Sequence, residues 1–118
     1  MRRRAPIVLA LAVSAHAAPA HAQSQEEQAL ALLRASSTQS AIITFCAKHY
    51  AIDGTTALRI SQTARDVATK VLGQERVTAA FRDELARRYA EVKATGEAQW
   101  CADQREAFSD GEVQIFKN

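Results

Sequence analysis

Apolar side chains recur at three- and four-residue intervals through most of the chain, the spacing that lines one face of an α-helix. Over 25–35, Leu30, Leu33 and Arg34 share a face behind Glu26 and Glu27, whose charges suit a first helical turn. Ser36-Ser37-Thr38 is expected to break this helix, because hydroxyl side chains compete for local backbone groups. A second helix is predicted over 39–51, with Ile42, Ile43, Cys46 and Tyr50 on its stripe and Phe45 and His49 beside it. The alternative is a strand over 41–46, which contains β-formers, but no other segment reads as its pairing partner. Asp53-Gly54 marks a turn, and Thr55 or Thr56 is the expected cap of the next helix.

That third helix, 56–72, carries Ile60, Ala64, Val67 and Val71 on one stripe with Leu72 beside it, and Asp66 precedes Lys70 at i,i+4. The fourth, 75–95, is the clearest element. Val77, Phe81, Leu85, Tyr89 and Val92 hold its apolar side, while Asp83 with Arg87 and Glu84 with Arg88 read as solvated i,i+4 pairs. Such pairs contribute only about 0.2–0.5 kcal/mol each, so the apolar stripe decides the packing. Gly73 suits the left-handed position after a helix end, and so short a joint makes the third and fourth helices antiparallel. Gly96 ends or kinks the fourth helix. A fifth follows over 97–108, with Cys101 and Phe108 on one face and Trp100 adjacent, until Ser109-Asp110-Gly111 stops it. The tail 112–118 is too short to assign from its alternation and either docks or frays. The predicted fold class is all-α: a small four- or five-helix bundle around a central antiparallel hairpin.

The chain has two cysteines, Cys46 and Cys101, and they bracket that hairpin. Antiparallel packing brings the start of the third helix and the end of the fourth to the same end of the molecule. A disulfide across the open end is therefore geometrically plausible. Closing so long a loop is worth roughly 4 kcal/mol in chain-entropy terms. Free thiols, a transient redox role and pairing between chains are the alternatives.

The first 22 residues have a different character. Arg2, Arg3 and Arg4 precede an apolar run over 7–13 that is too short to span a bilayer, and Ala20-His21-Ala22 has small residues at the positions that flank a cleavage point. This is the pattern of a secretory signal peptide, 1–22, followed by a single domain, 23–118; an uncleaved anchor is the alternative. Cleavage leaves 96 of the 118 residues, near the lower range for a self-sufficient core. Removing Arg2, Arg3 and Arg4 reduces 15 basic residues to 12 against 13 acidic ones, so the net charge of +2 becomes −1. The basic character thus belongs to the export signal, and nucleic acid is not an expected partner. No membrane span is expected in 23–118. Pro6, Pro19, His16, His21 and Met1 all lie in the signal, leaving His49 as the sole histidine of the domain. Export and an even cysteine count together favour a disulfide and a periplasmic or secreted location.

Candidate chemistry centres on Cys46-Ala47-Lys48-His49. A thiolate and an imidazole three apart on a helix can share a metal, but only Cys101 remains as a further soft ligand, and oxidation of both cysteines abolishes the site. A Cys–His nucleophile lacks an orienting residue and an oxyanion hole. Cys-x-x-Cys-His, a phosphate-binding glycine loop and a calcium loop are not found, and neither a cofactor nor a metal is implied. Asp83-Glu84 points two carboxylates in different directions along a helix. Tyr50, Tyr89, Trp100 and Phe108 are available to line a small-ligand pocket or fill a core, and Arg87 and Arg88, with Arg76, Arg82 and Lys93, to form an anion-binding strip or an ordinary polar face. His49, Tyr50, Tyr89, Trp100, Arg87 and Arg88 are accordingly the expected ligand or partner surface.

A small exported helical domain with one long-loop disulfide resembles periplasmic acid-stress chaperones in size, compartment and cysteine count, and no motif residue carries over from them. Three function classes follow. The leading one is a binding, accessory or chaperone-like protein of the cell envelope, with a protein or small-molecule partner and an open oligomeric state. The second is a carrier of a small ligand or metal around Cys46 and His49. The third is a small periplasmic hydrolase. A clustered exposed apolar patch would favour the first, a pocket near His49 the second, and a pocket with two convergent carboxylates the third.

Overall fold

The structure is a computed structural model that describes residues 4–111 and 113–117, with side chains from Ser24 onward. Arg2 and Arg3 of the expected export signal, and Glu112 and Asn118 of the tail, lie outside the described residues. Four helices follow in order: α1 (Arg4–Cys46), α2 (Gly54–Leu72), α3 (Gln74–Thr95) and α4 (Glu97–Ala107). Among the described residues there is no strand, only an isolated antiparallel bridge between Ile52 and Phe116.

The expected break at Ser36-Ser37-Thr38 does not occur, and the two predicted N-terminal helices are one. The hydroxyls find partners that leave the helical ladder intact. Ser37 Oγ and Thr38 Oγ1 both donate back to the Arg34 carbonyl, at 2.7 and 2.9 Å. Ser36 Oγ instead reaches across to the Ser61 carbonyl on α2 at 2.9 Å and lies 2.7 Å from the Ser61 hydroxyl. At its other end α1 stops at Cys46, short of the expected residue 51. The backbone of 51–53 is engaged elsewhere: Asp53 N–H donates to the Ile115 carbonyl at 2.8 Å, and Lys117 N–H to the Ala51 carbonyl at 2.9 Å. These bonds dock the tail, which buries Ile115 and Phe116.

Asp53, rather than Thr55 or Thr56, caps α2. Its Oδ1 accepts from Thr56 N–H at 3.1 Å and its Oδ2 from the Thr56 hydroxyl at 2.7 Å. Gly73 alone joins α2 to α3, and Gly96 alone joins α3 to α4; both have positive φ, +89° and +94°. Each glycine closes one helix and opens the next. Gly73 N–H donates to Thr69 and its carbonyl accepts from Val77; Gly96 does the same with Val92 and Trp100.

Two apolar clusters lie along the bundle. Ala29, Leu33, Ala68, Leu72 and Val77 form one at the Gly73 end. Ala41, Ile42, Cys46, Ala57, Val92, Trp100, Cys101, Ile115 and Phe116 form the other. The start of α2 and the end of α3 thus meet in the second cluster, which makes α2 and α3 the antiparallel hairpin that the sequence predicts. Cys46 and Cys101 are bonded there, with Cα atoms 5.5 Å apart and both side chains fully buried.

Between the clusters runs a polar belt. Ser36, Ser37, Ser61, Glu84 and Arg88 are all buried. The reading of Glu84–Arg88 as a solvated pair is therefore corrected: this pair faces the bundle. Glu84 takes Arg87 as its closest partner, with Arg34 of α1 at 3.6 Å and Arg88 at 3.7 Å, while Arg88 also reaches Glu91 at 3.0 Å. The α2 stripe is corrected as well. Ala57, Ser61, Ala64, Ala68 and Leu72 are its buried face, and Val67 and Val71 remain 43% and 48% exposed. Small residues at these positions let the α1 and α2 backbones come close enough for the Ser36–Ser61 bonds.

Candidate functional site

The disulfide does more than close a loop. Going forward one turn from Cys46 leads to His49, and going back one turn from Cys101 leads to Glu97, so joining the cysteines brings these two side chains to one place. His49 is set by the turn that ends α1, where the Cys46 carbonyl accepts from both His49 N–H at 2.9 Å and Tyr50 N–H at 3.0 Å. Glu97 is set by Gly96, whose positive φ starts α4 in a new direction. As the first residue of α4, its negative charge also complements the helix dipole.

Glu97 Oε2 lies 2.9 Å from His49 Nε2 and 2.9 Å from Lys48 Nζ. A carboxylate only accepts, so the histidine carries its hydrogen on Nε2 in this contact. The hydrogen bond from Lys48, followed by that from His49, holds the Glu97 carboxyl below the ordinary glutamate range. One carboxylate oxygen thus ties the link after α1 to the start of α4.

Beside this cluster opens a cleft of about 400 Å³ lined by Phe45, Tyr89, Val92, Lys93, Gly96 and Glu97. Phe45 and Tyr89 meet edge to face across the α1–α3 boundary, with centroids 5.1 Å apart and planes at 81°. Tyr89 is 42% exposed despite its size. The glycine contributes no side chain to fill the cleft, and Val92 extends its apolar wall into the buried cluster. The arrangement presents an aromatic floor with ionic groups along one rim.

The other expected site residues are dispersed. Tyr50 packs against Phe116 at 5.7 Å and lies under the Arg105 guanidinium at 5.2 Å, in a separate cleft between α4 and the tail. Trp100 is buried in the core and its Nε1 is 3.4 Å from Glu91, so it is not part of an open surface. Arg88 is buried in the polar belt, and Arg87 is turned toward Glu84, which separates both from an anion-binding strip. The Cys46 sulfur is committed to Cys101 and offers no thiolate to a metal or a substrate. Among the described residues, no three His, Cys, Asp or Glu side chains converge as a metal site requires. The cleft beside His49 holds a single carboxylate, Glu97, where a hydrolase of the expected kind would need two.

Sequence reasoning passed over Phe45 and Glu97 as site residues, and it offered Lys93 only as part of an anion-binding strip with Arg76, Arg82, Arg87 and Arg88. Glu97 was open to inference, since it stands one turn before Cys101 just as His49 stands one turn after Cys46. Phe45 carries no such signal. In comparisons with known proteins, the chain matches no family model, no curated protein and no solved structure.

Proposed function

We propose that the protein is an exported binding protein of the cell envelope and that the Phe45–Tyr89 cleft is its binding site. The observation that carries this reading is a large aromatic side chain, Tyr89, held part-exposed against Phe45 in a cleft rather than withdrawn into the core. Apolar surface left open in a concave site with a few polar groups at its edge is the usual form of a ligand site. The ion cluster of Lys48, His49 and Glu97 stands at one edge of the cleft.

Export rests on the segment 1–22 with its arginines, apolar run and small-residue cleavage point. Cleavage after Ala22 removes none of the described core, whose first buried side chain is Ala29. A fully buried disulfide suits an oxidising compartment. Among the described residues, no helix is long and apolar enough to cross a membrane.

Saturation-transfer NMR with 3-phenylpropan-1-ol, an uncharged aromatic probe, tests the site. Transfer is expected with the wild-type protein and with Tyr50→Ala, and a large loss with Tyr89→Ala. No transfer to the wild type, or equal transfer to Tyr89→Ala, overturns the assignment. Intact-mass analysis of protein recovered from its native cell tests export: loss of residues 1–22 is expected, and a full-length species held in the membrane contradicts it.

A further inference from the structure

The charges around the cleft are not balanced. Glu97, the one acidic side chain lining it, is already occupied by Lys48 and His49 through a single oxygen. Lys93 lines the same cleft, four residues before Glu97, and among the described residues it has no acidic partner. Lys48, which stands outside the lining, is paired with Glu97, and the charge of Lys93 is left unmatched at the rim. The floor beneath is Phe45, Tyr89 and Val92. An apolar floor under a positive rim complements a ligand that is apolar at one end and anionic at the other.

Resting on the binding-site reading above, we infer that the cleft takes a small aromatic carboxylate, with its ring against Phe45 and Tyr89 and its carboxylate on Lys93. The volume of about 400 Å³ falls within the range of small-molecule sites. A third ring added to the Phe45–Tyr89 pair continues an edge-to-face arrangement, the geometry that aromatic quadrupoles favour. A carboxylate meeting Lys93 makes a charge-assisted hydrogen bond, which is about twice as strong as a neutral one. Glu97 then acts as a selector. It repels a second anionic group.

The test compares three probes of one shape by isothermal titration: 3-phenylpropionate, 3-phenylpropan-1-ol and 3-phenylpropylamine. The carboxylate is expected to bind about tenfold more tightly than the alcohol, the ratio that corresponds to 1.4 kcal/mol, and the amine more weakly than either. Lys93→Gln should bring the carboxylate down to the level of the alcohol. Glu97→Gln should tighten the carboxylate further, because it removes the negative charge and releases Lys48. Circular dichroism of each variant checks that it is folded; Lys93 is exposed and Glu97 half-buried. Equal binding of carboxylate and alcohol, or a preference that survives Lys93→Gln, overturns the inference and leaves the binding site standing. Failure of all three probes overturns both. Sedimentation of the free protein supplies a separate outcome: a dimer abolished by Tyr89→Ala would show that a second copy covers the cleft, and this too overturns the inference.

Discussion

Gly73 and Gly96 are the two positions where the chain most depends on residue identity. Each turns one helix into the next within a single residue at positive φ, and beyond the two flanking residues no heavy atom lies within 4 Å of where a Cβ would stand. A substitution therefore meets backbone strain rather than a clash. Gly73→Ala and Gly96→Ala should each destabilise the protein by about 1–3 kcal/mol, read as a lower urea midpoint with an unchanged slope. Glu84 makes a different demand. It sits in the interior with arginines from two helices, and its Oε1 and the Arg88 Nε have no hydrogen-bond partner. Glu84→Ala leaves Arg88 buried beside a hole and should cost about 3 kcal/mol. Replacing both residues, as Glu84→Leu with Arg88→Met, should cost less than Glu84→Ala alone, because no charge is then left stranded in the interior. A larger loss for the double variant would mean that the pair stabilises the bundle on its own account.

At the scale of the element, glycines made the boundaries of α2, α3 and α4 legible, and the serines misled. Ser36 looks like a helix breaker because its sequence neighbours give its hydroxyl no better partner than the backbone. Its partner is Ser61, which is distant in sequence and identifiable only once α1 and α2 are packed. The α2 stripe misled in a related way: hydrophobicity singled out Val67 and Val71, whereas close approach to α1 selects the small residues on the neighbouring face. Asp53 shows how a cap links an element to pH. The Thr56 hydroxyl and then the Thr56 amide hydrogen-bond its carboxylate and hold its pKa below the ordinary aspartate value. A lowered folded pKa means that the unfolded chain takes up the proton first as pH falls. The stabilisation is thus complete above about pH 4 and is lost as pH drops through the folded value. Urea midpoints of wild type and Asp53→Ala should differ at neutral pH and converge in acid. A gap that persists unchanged to the lowest accessible pH would show that the carboxylate charge is not what caps α2.

For the molecule as a whole, the helical class, the hairpin and the cysteine pair were readable because each depends on periodicity or spacing. The cleft was readable only in part. His49 and Tyr89 were candidates, but their neighbours Phe45 and Lys93 acquire meaning only when the ends of α1 and α3 are side by side. Trp100 and Arg88 were misplaced for the converse reason: helical position alone does not tell a buried aromatic or arginine from an exposed one. The disulfide is the common cause of the arrangement, and its role is structural. Neither cysteine should react with thiol probes in the native protein, and Cys46→Ala/Cys101→Ala should lose roughly 2–4 kcal/mol while retaining probe affinity wherever it remains folded. Rapid labelling of native protein with an unchanged urea midpoint would refute the bond's part in the fold.

The central claim is that the Phe45–Tyr89 cleft beside the disulfide is the binding site. Backbone amide shifts recorded while 3-phenylpropan-1-ol is titrated into the intact protein address it directly. The largest changes should fall on Phe45, Tyr89, Gly96 and Glu97, and saturate together with one affinity. Changes centred instead on the cleft of Tyr50, Phe108 and Phe116, or on a second groove between α2 and α3 lined by Arg65 and Phe81, would contradict the claim.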